Sequence, residues 1–149
     1  MGIEHNTGAL GHGLSVAVGL ALSKKIDQKT NKVFSLLGDG ELSEGSVWEA
    51  CTTASKYQLD NLIVIIDRND LQITGKTEEV NPIEPIDKKF ESFGFETIST
   101  NGNNISELLN VFKEIPIQKN KPTVIIAKTT KGSGAVSYTH LTLPTNSSV

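Results

Sequence analysis

The sequence holds 149 residues, 37% of them hydrophobic and 21% charged, with a net charge of −3. A chain of that length forms one domain and buries about 70% of its unfolded surface. Scattered lysines and a single arginine argue against a nucleic-acid footprint, the single Cys51 excludes an internal disulfide, and no apolar run is long enough to span a bilayer. With no signal peptide in view, the cytoplasm is the expected compartment.

In chain order, Thr7-Gly8-Ala9-Leu10-Gly11-His12-Gly13 reads as a glycine-rich loop. Leu14 to Ser23 follows as a helix of small residues, with Ala17, Gly19 and Ala21 permitting close packing. Gly11 and Gly13 serve either that packing or a close approach of backbone to ligand. His12 either donates a hydrogen bond from the loop or caps its helix. A polar connection, Asp27 to Lys32, leads into Val33–Leu37, an apolar run that predicts a short buried strand. The strand ends on Gly38-Asp39-Gly40, where two glycines let the chain turn tightly around a carboxylate. On its own, that triplet also makes an ordinary turn.

Glu44 to Gln58 lacks proline and places Val47, Ala50, Cys51 and Ala54 on one helical face. That face, with Trp48 beside it, is either the core side of the helix or part of a subunit interface. Cys51 reads as packed rather than reactive. Glu44 stands near the amino end of the helix, where the dipole favours a carboxylate.

Leu62-Ile63-Val64-Ile65-Ile66 predicts a parallel strand buried on both faces. It ends at Asp67-Arg68-Asn69-Asp70-Leu71. Strand, helix and strand make one βαβ unit, whose right-handed crossover brings both strand-end loops to one sheet edge. Open α/β sheets bind ligands at that edge. Asp39 and Asn69 can offer a carboxylate and an amide oxygen to one ion there. Hard oxygen donors suit Mg2+, which keeps few protein carboxylates and takes phosphates and water besides. The spacing therefore calls for a phosphorylated ligand.

Residues 72–85, with Pro82 and Pro85, form a polar excursion over the ligand edge. Ile86 to Phe93 predicts a short helix stopped by Gly94, and Phe95 to Ser99 a strand before an Asn101-Gly102 turn. Ile105, Leu108, Leu109 and Phe112 mark an amphipathic helix capped by Asn104 and ended by Pro116. Thr123 to Ala127 is the last buried strand. This alternation predicts an α/β fold, a mainly parallel sheet flanked by helices. From Ala135 to Val149 there is no charged residue. That tail reads as foreign to a domain of residues 1–134, the alternative being a variable terminus.

Gly38-Asp39-Gly40 followed thirty positions later by Asn69 resembles the thiamine diphosphate motif. The strings Gly-Asp-Gly-Glu-Leu-Ser-Glu-Gly-Ser-Val-Trp-Glu-Ala and Asp-Arg-Asn-Asp-Leu-Gln-Ile-Thr-Gly resemble the amino-terminal section of transketolase, and the likeness runs from about Gly2 to Gly132. It implies the diphosphate-binding domain of that fold, incomplete at its N-terminus, with thiamine diphosphate and Mg2+ as cofactors. The implied metal ligands are Asp39, Asn69 and the main-chain carbonyl of Leu71. Leu10, Gly11, Gly38, Asp39, Gly40, Glu41, Asn69 and Leu71 are the implied cofactor-binding residues, although Glu41 by residue type alone belongs with solvent. The resemblance gives Glu44 a part in coupling paired active sites across a dimer, and sets His12 in the loop beside the cofactor's rings.

The implied activity is transfer of a two-carbon ketol unit from a ketose phosphate to an aldose phosphate, as in the pentose phosphate pathway. The implied partner is a C-terminal transketolase section or subunit carrying the pyrimidine-binding domain, in a dimer of such pairs. The family's upstream histidines and its tryptophan-histidine-glycine segment are absent from this sequence. No catalytic residue is therefore firm, and the isolated chain is expected to be inactive. Deoxyxylulose-phosphate synthase and 2-oxo acid dehydrogenases share the motif spacing, and a non-catalytic remnant or interaction module would keep the fold. Glu-Leu-Ser-Glu-Gly together with Leu-Gln-Ile-Thr-Gly favours transketolase.

Overall fold

The periodicities fold in chain order into α1 (His12–Ile26), β1 (Val33–Gly38), a 3₁₀ turn (Gly40–Ser43), α2 (Gly45–Lys56) and β2 (Leu62–Arg68). There follow β3 (Leu71–Gln72), β4 (Gly75–Lys76), α3 (Thr77–Val80), α4 (Ile86–Ser92), β5 (Glu96–Asn101), α5 (Ile105–Lys113) and β6 (Thr123–Lys128). The structure, a computed structural model, describes residues 2–73 and 75–135. Residues 136–149, almost all of the expected tail, lie outside the described residues. Among the described residues, no helix is long and apolar enough to cross a membrane.

Strands β1, β2, β6 and β5 lie side by side in that order and all run parallel. Parallel neighbours need crossovers, which α2 and α5 supply. The register pairs Gly38 with Asp67 and Arg68 with Lys128, so β1, β2 and β6 end at one level. β2 runs two residues beyond the apolar stretch that predicts it. Asp67 and Arg68 are strand residues, because β6 continues to pair with them.

One face of the sheet carries the main core. Leu37, Leu62, Val64, Ile66, Val124 and Ile126 pack there with residues of α1, α2 and α4. Val47, Ala50, Cys51 and Ala54 are buried in this layer, which makes the apolar face of α2 its core side. Trp48 lies against the rings of Phe90 and Phe93, with centroids 5.1 and 5.5 Å away, and its Nε1 donates to the Leu42 carbonyl.

The other face is thinner. Ile63 and Ile125 are covered there by Val111 and Ile115, with Ile65, Ile98 and Phe112 at the margin. α5 packs along β5, at the far edge from β1. β1 is fully buried on one face only: Ser35 and Leu37 turn inward, whereas Phe34, edge-on to Phe112 of α5 at 6.1 Å, and Leu36 are 53% and 72% exposed. The stripe on α5 also differs from its prediction, with Ile105 and Leu109 exposed and Val111 the buried residue. A nine-residue helix over one sheet edge has too little apolar surface beneath it to bury a whole stripe. Its Asn104 cap forms as expected, accepting from the Ser106 and Glu107 amides.

Candidate functional site

The parallel register brings the two strand-end loops together. Asp39 follows β1, its amide donates to the Asp67 carbonyl at the end of β2, and the Asp70 amide returns a bond to Asp39 Oδ2 at 2.8 Å. Asp39 is 1% exposed, so this carboxylate is buried despite its place in a loop. Oδ1 accepts from the Gly40 amide at 2.7 Å, and Oδ2 also accepts from Arg68 Nη1 at 2.9 Å. Arg68 is itself only 7% exposed and reaches Asp70, Glu78 and Glu84 as well. Burial would lower the pKa of this guanidinium, but the Asp39 hydrogen bond and the charges of Asp70, Glu84 and Asp39 outweigh it and raise the pKa. Four carboxylates around one guanidinium leave a local excess of negative charge, which a cation would offset.

Asn69 stands at the head of the neighbouring loop. Its Nδ2 donates to Asp67 Oδ2 at 3.0 Å, while Oδ1 accepts from the Leu71 amide at 3.1 Å. Asp67 is held in turn by the Thr129 hydroxyl from the end of β6. This chain fixes which end of the Asn69 amide faces the loop. Asp70 makes the tight turn at φ 64°, a conformation aspartate tolerates. The Thr77 amide then donates to the Asp70 carbonyl, and Leu71 pairs with Lys76. Antiparallel pairs alternate, so Leu71 falls on a non-hydrogen-bonded pair and its carbonyl points away from β4.

The glycine-rich loop joins the same edge through Glu41. The Gly11 amide donates to Glu41 Oε1 at 2.8 Å and the Gly38 amide to Oε2 at 3.3 Å. Glu41 is thus no solvent residue: it clasps two loops whose glycines lie 27 positions apart. Gly11 is buried at φ 79°, and a Cβ there would overlap Ser46 Oγ and lie 2.8 Å from Glu44 Cβ. Its freedom is spent on close packing against the start of α2. Glu44 precedes α2 as its cap residue without a side-chain cap bond, and is exposed. The first α2 amides therefore keep their dipole free for an anion. His12 opens α1 without capping it, its Nδ1 3.2 Å from the Leu10 carbonyl. Leu10 is exposed beside it.

Beyond Asn69 and Leu71 opens a cleft of about 480 Å³, bordered by Lys76, Thr129, Thr130 and Lys131. Its lining also includes Asp70 and Glu78, so the charge is mixed: the hydroxyls and two lysines can meet a phosphorylated ligand, and the carboxylates a cation that accompanies it. Among the described residues, no cluster of three His, Cys, Asp or Glu could hold a metal ion. A cation here would depend on one carboxylate with amide and carbonyl oxygens, the hard donor set that Mg2+ accepts. The group implied by the sequence therefore fits the residues present. Cys51, 0% exposed, lies away from this edge, and burial pushes its thiol up to about 12.

Sequence reasoning placed Asp39, Asn69, Leu71 and Gly11 at this edge but missed the work of Asp67, Arg68 and Thr129, and by residue type alone left Glu41 with solvent. Arg68 carried one signal, a lone arginine among Asp67, Asp70 and Glu78 at a strand end.

Comparison with known proteins places the chain in a family. The family described as "Transketolase, thiamine diphosphate binding domain" matches residues 1–142. An apulose-4-phosphate transketolase subunit of Phocaeicola vulgatus is 48% identical over 137 residues, covering 92% of this chain and 48% of that protein. The 6-deoxy-6-sulfo-D-fructose transketolase subunit SqwG of a Clostridium species is 41% identical over 135 residues, covering 91% of this chain and 49% of its own. The chain thus spans about half the length of these curated relatives. The crystal structure of transketolase from Campylobacter jejuni superimposes with a TM-score of 0.81 at 38% identity, covering 90% of this chain and 22% of that one. With nearly its whole length matched, the chain belongs to the family of transketolase thiamine diphosphate binding domains.

Proposed function

We propose that this chain is the diphosphate- and Mg2+-binding part of a transketolase that moves a two-carbon ketol unit between sugar phosphates. The observation that carries the reading is the meeting of Asp39 and Asn69 at two adjacent strand ends, one oxygen of each still open to a cation. Asp39, Asn69 and the Leu71 carbonyl would hold Mg2+. Gly38, Gly40, Gly11 and the uncapped start of α2 would hold the diphosphate. Thiamine diphosphate, when bound, supplies the nucleophilic carbon that takes the ketol unit from a ketose. This chain's own residues bind and orient: Asp39 presents its charge, the Asp67–Thr129 pair fixes the Asn69 amide, and Glu41 holds the Gly11 loop against the motif.

The names of the relatives, subunits of apulose-4-phosphate and sulfofructose transketolases, support a division of labour between two subunits. We assign the partner as a C-terminal subunit or section with the pyrimidine-binding domain, in a dimer of such pairs, working in the cytoplasm. Glu44, exposed at the start of α2, is our candidate for contact across that assembly. The strings Glu-Leu-Ser-Glu-Gly and Leu-Gln-Ile-Thr-Gly and the relatives' names favour transketolase over the other thiamine diphosphate enzymes. The test is a ketose-to-aldose transfer assay on the purified chain with thiamine diphosphate and Mg2+, with and without that partner. The chain alone is expected to bind cofactor weakly and turn nothing over. The partner is expected to strengthen cofactor binding, and transfer follows once the family's upstream and downstream segments are also supplied. Robust turnover by the chain alone would overturn the division of labour, and no Mg2+-dependent cofactor binding in any combination would overturn the assignment.

A further inference from the structure

A carboxylate can serve a cation through one oxygen or through both, and at Asp39 the choice is already made by its neighbours. Oδ2 receives the Arg68 guanidinium at 2.9 Å and the Asp70 amide at 2.8 Å. Two donors fill both acceptor sites of that oxygen. Oδ1 receives the Gly40 amide alone, at 2.7 Å, and keeps one acceptor site open. Arg68 is held rigidly in this role. Its Nη2 donates to Glu78 at 3.0 Å, its Nε to Glu84 at 3.2 Å, and its Nη1 also lies 3.1 Å from Asp70 Oδ1. Glu78 belongs to α3 and Glu84 to the segment before α4, so the loop after β3 and β4 braces the guanidinium from behind.

We propose that Arg68 is a positioning and ion-selecting residue: by occupying Asp39 Oδ2 it makes Asp39 a one-oxygen ligand, the form that Mg2+ requires and Ca2+ does not. Mg2+ demands near-octahedral geometry at about 2.0–2.1 Å and takes carboxylates singly, whereas Ca2+ sits at about 2.3–2.6 Å and accepts both oxygens of one carboxylate. Clearing Oδ2 therefore favours the larger ion. This inference rests on the thiamine diphosphate reading and adds to it a reason for the ion chosen.

The experiment measures thiamine diphosphate affinity by calorimetry, in excess Mg2+ and separately in excess Ca2+, for the wild-type chain, Arg68→Gln and Arg68→Lys, each with the partner subunit present. Each protein is taken below its melting temperature, with its fold checked by far-ultraviolet circular dichroism. Arg68→Gln is expected to weaken binding in Mg2+ by about tenfold, the scale for partners behind a metal ligand. Its ratio of Ca2+- to Mg2+-supported affinity is expected to rise about fivefold or more. Arg68→Lys, which keeps a cation at Oδ2 but cannot fork to its neighbours, should return part of the Mg2+ preference. A role limited to stability would lower the melting temperature without moving that ratio. An unchanged ratio in folded Arg68→Gln overturns the proposal, and should that variant not fold, an unchanged ratio in Arg68→Met, which offers Oδ2 no donor, overturns it instead. A wild-type chain that binds the cofactor with neither ion even in the presence of the partner subunit refutes the thiamine reading itself, and the proposal falls with it.

Discussion

Replacing Asp39 by alanine tests the site and the fold together. By position, in a loop after a strand, Asp39 looks removable without structural cost, but the structure buries it to 1% exposure among three donors. Asp39→Ala strips the Gly40 and Asp70 amides of an acceptor and takes one carboxylate from a guanidinium that is 7% exposed. Removing one partner of a buried ion pair costs about 3–5 kcal/mol. Arg68 keeps Asp70, Glu78 and Glu84, whose side chains are 70%, 40% and 51% exposed, so water screens much of what remains. The low end of that range, about 3 kcal/mol, is therefore expected. Against a stability on the order of 5–15 kcal/mol, the variant still folds. At about 2–4 °C per kcal/mol for a chain of this size, it melts about 6–12 °C lower. Urea titration and calorimetry read the loss directly, and Asp39→Asn, which keeps the shape and one oxygen, should fall between variant and wild type. Below the melting transition, Mg2+-dependent thiamine diphosphate binding by Asp39→Ala should drop by more than about 100-fold, since partners merely behind a metal ligand are worth 10–100-fold. A stability change under about 0.5 kcal/mol, the range of ordinary surface substitutions, would refute the buried network. Unchanged binding would refute the metal assignment.

Asn69→Ala removes one neutral oxygen that water can replace, so its Mg2+-dependent cofactor affinity should fall about tenfold, less than for Asp39→Ala, by the same titration. Glu41→Ala leaves the Gly11 and Gly38 amides without their acceptor and should cost about 1–2 kcal/mol in urea unfolding, together with weaker cofactor binding. Cys51, its thiol raised from 9.0 to about 12 by burial, should resist alkylation at pH 8 in the folded chain and react fully once unfolded. Because the folded value is the higher one, its contribution to stability is complete below pH 9 and is lost as the pH climbs towards 12. Ending the chain at Gly134 should change stability by less than about 0.5 kcal/mol if the tail is foreign to the domain, and a larger loss by thermal unfolding would place it in the fold.

Much of this molecule is legible from local pattern. The β-branched runs at Leu62–Ile66 and Thr123–Ala127 had to be buried strands, because only a central position in a parallel sheet buries both faces of such a run. The Asn104 cap and Gly94 at the end of α4 declare themselves because one residue's short side chain or backbone freedom decides each of them. The thirty-residue separation of Asp39 and Asn69 needed only the handedness of one crossover to become a shared edge.

Tertiary structure decided what depends on neighbours distant in sequence. Whether Asp39 is exposed was set by Arg68, Asp70 and Gly40 closing on it, and whether Glu41 meets solvent was set by the approach of the Gly11 loop. The partial exposure of Phe34 and Leu36 followed from where α5 lands on the sheet, along β5 with Phe112 reaching Phe34 edge-on, which no periodicity within either element encodes. Asp67 and Arg68 became strand residues because β6 extended the pairing two steps beyond the apolar run. Periodicity reports which faces an element offers to a core. The charges at a strand end find their partners only when the register sets them side by side, and there a few ångströms turn a loop aspartate into a buried carboxylate held by three donors.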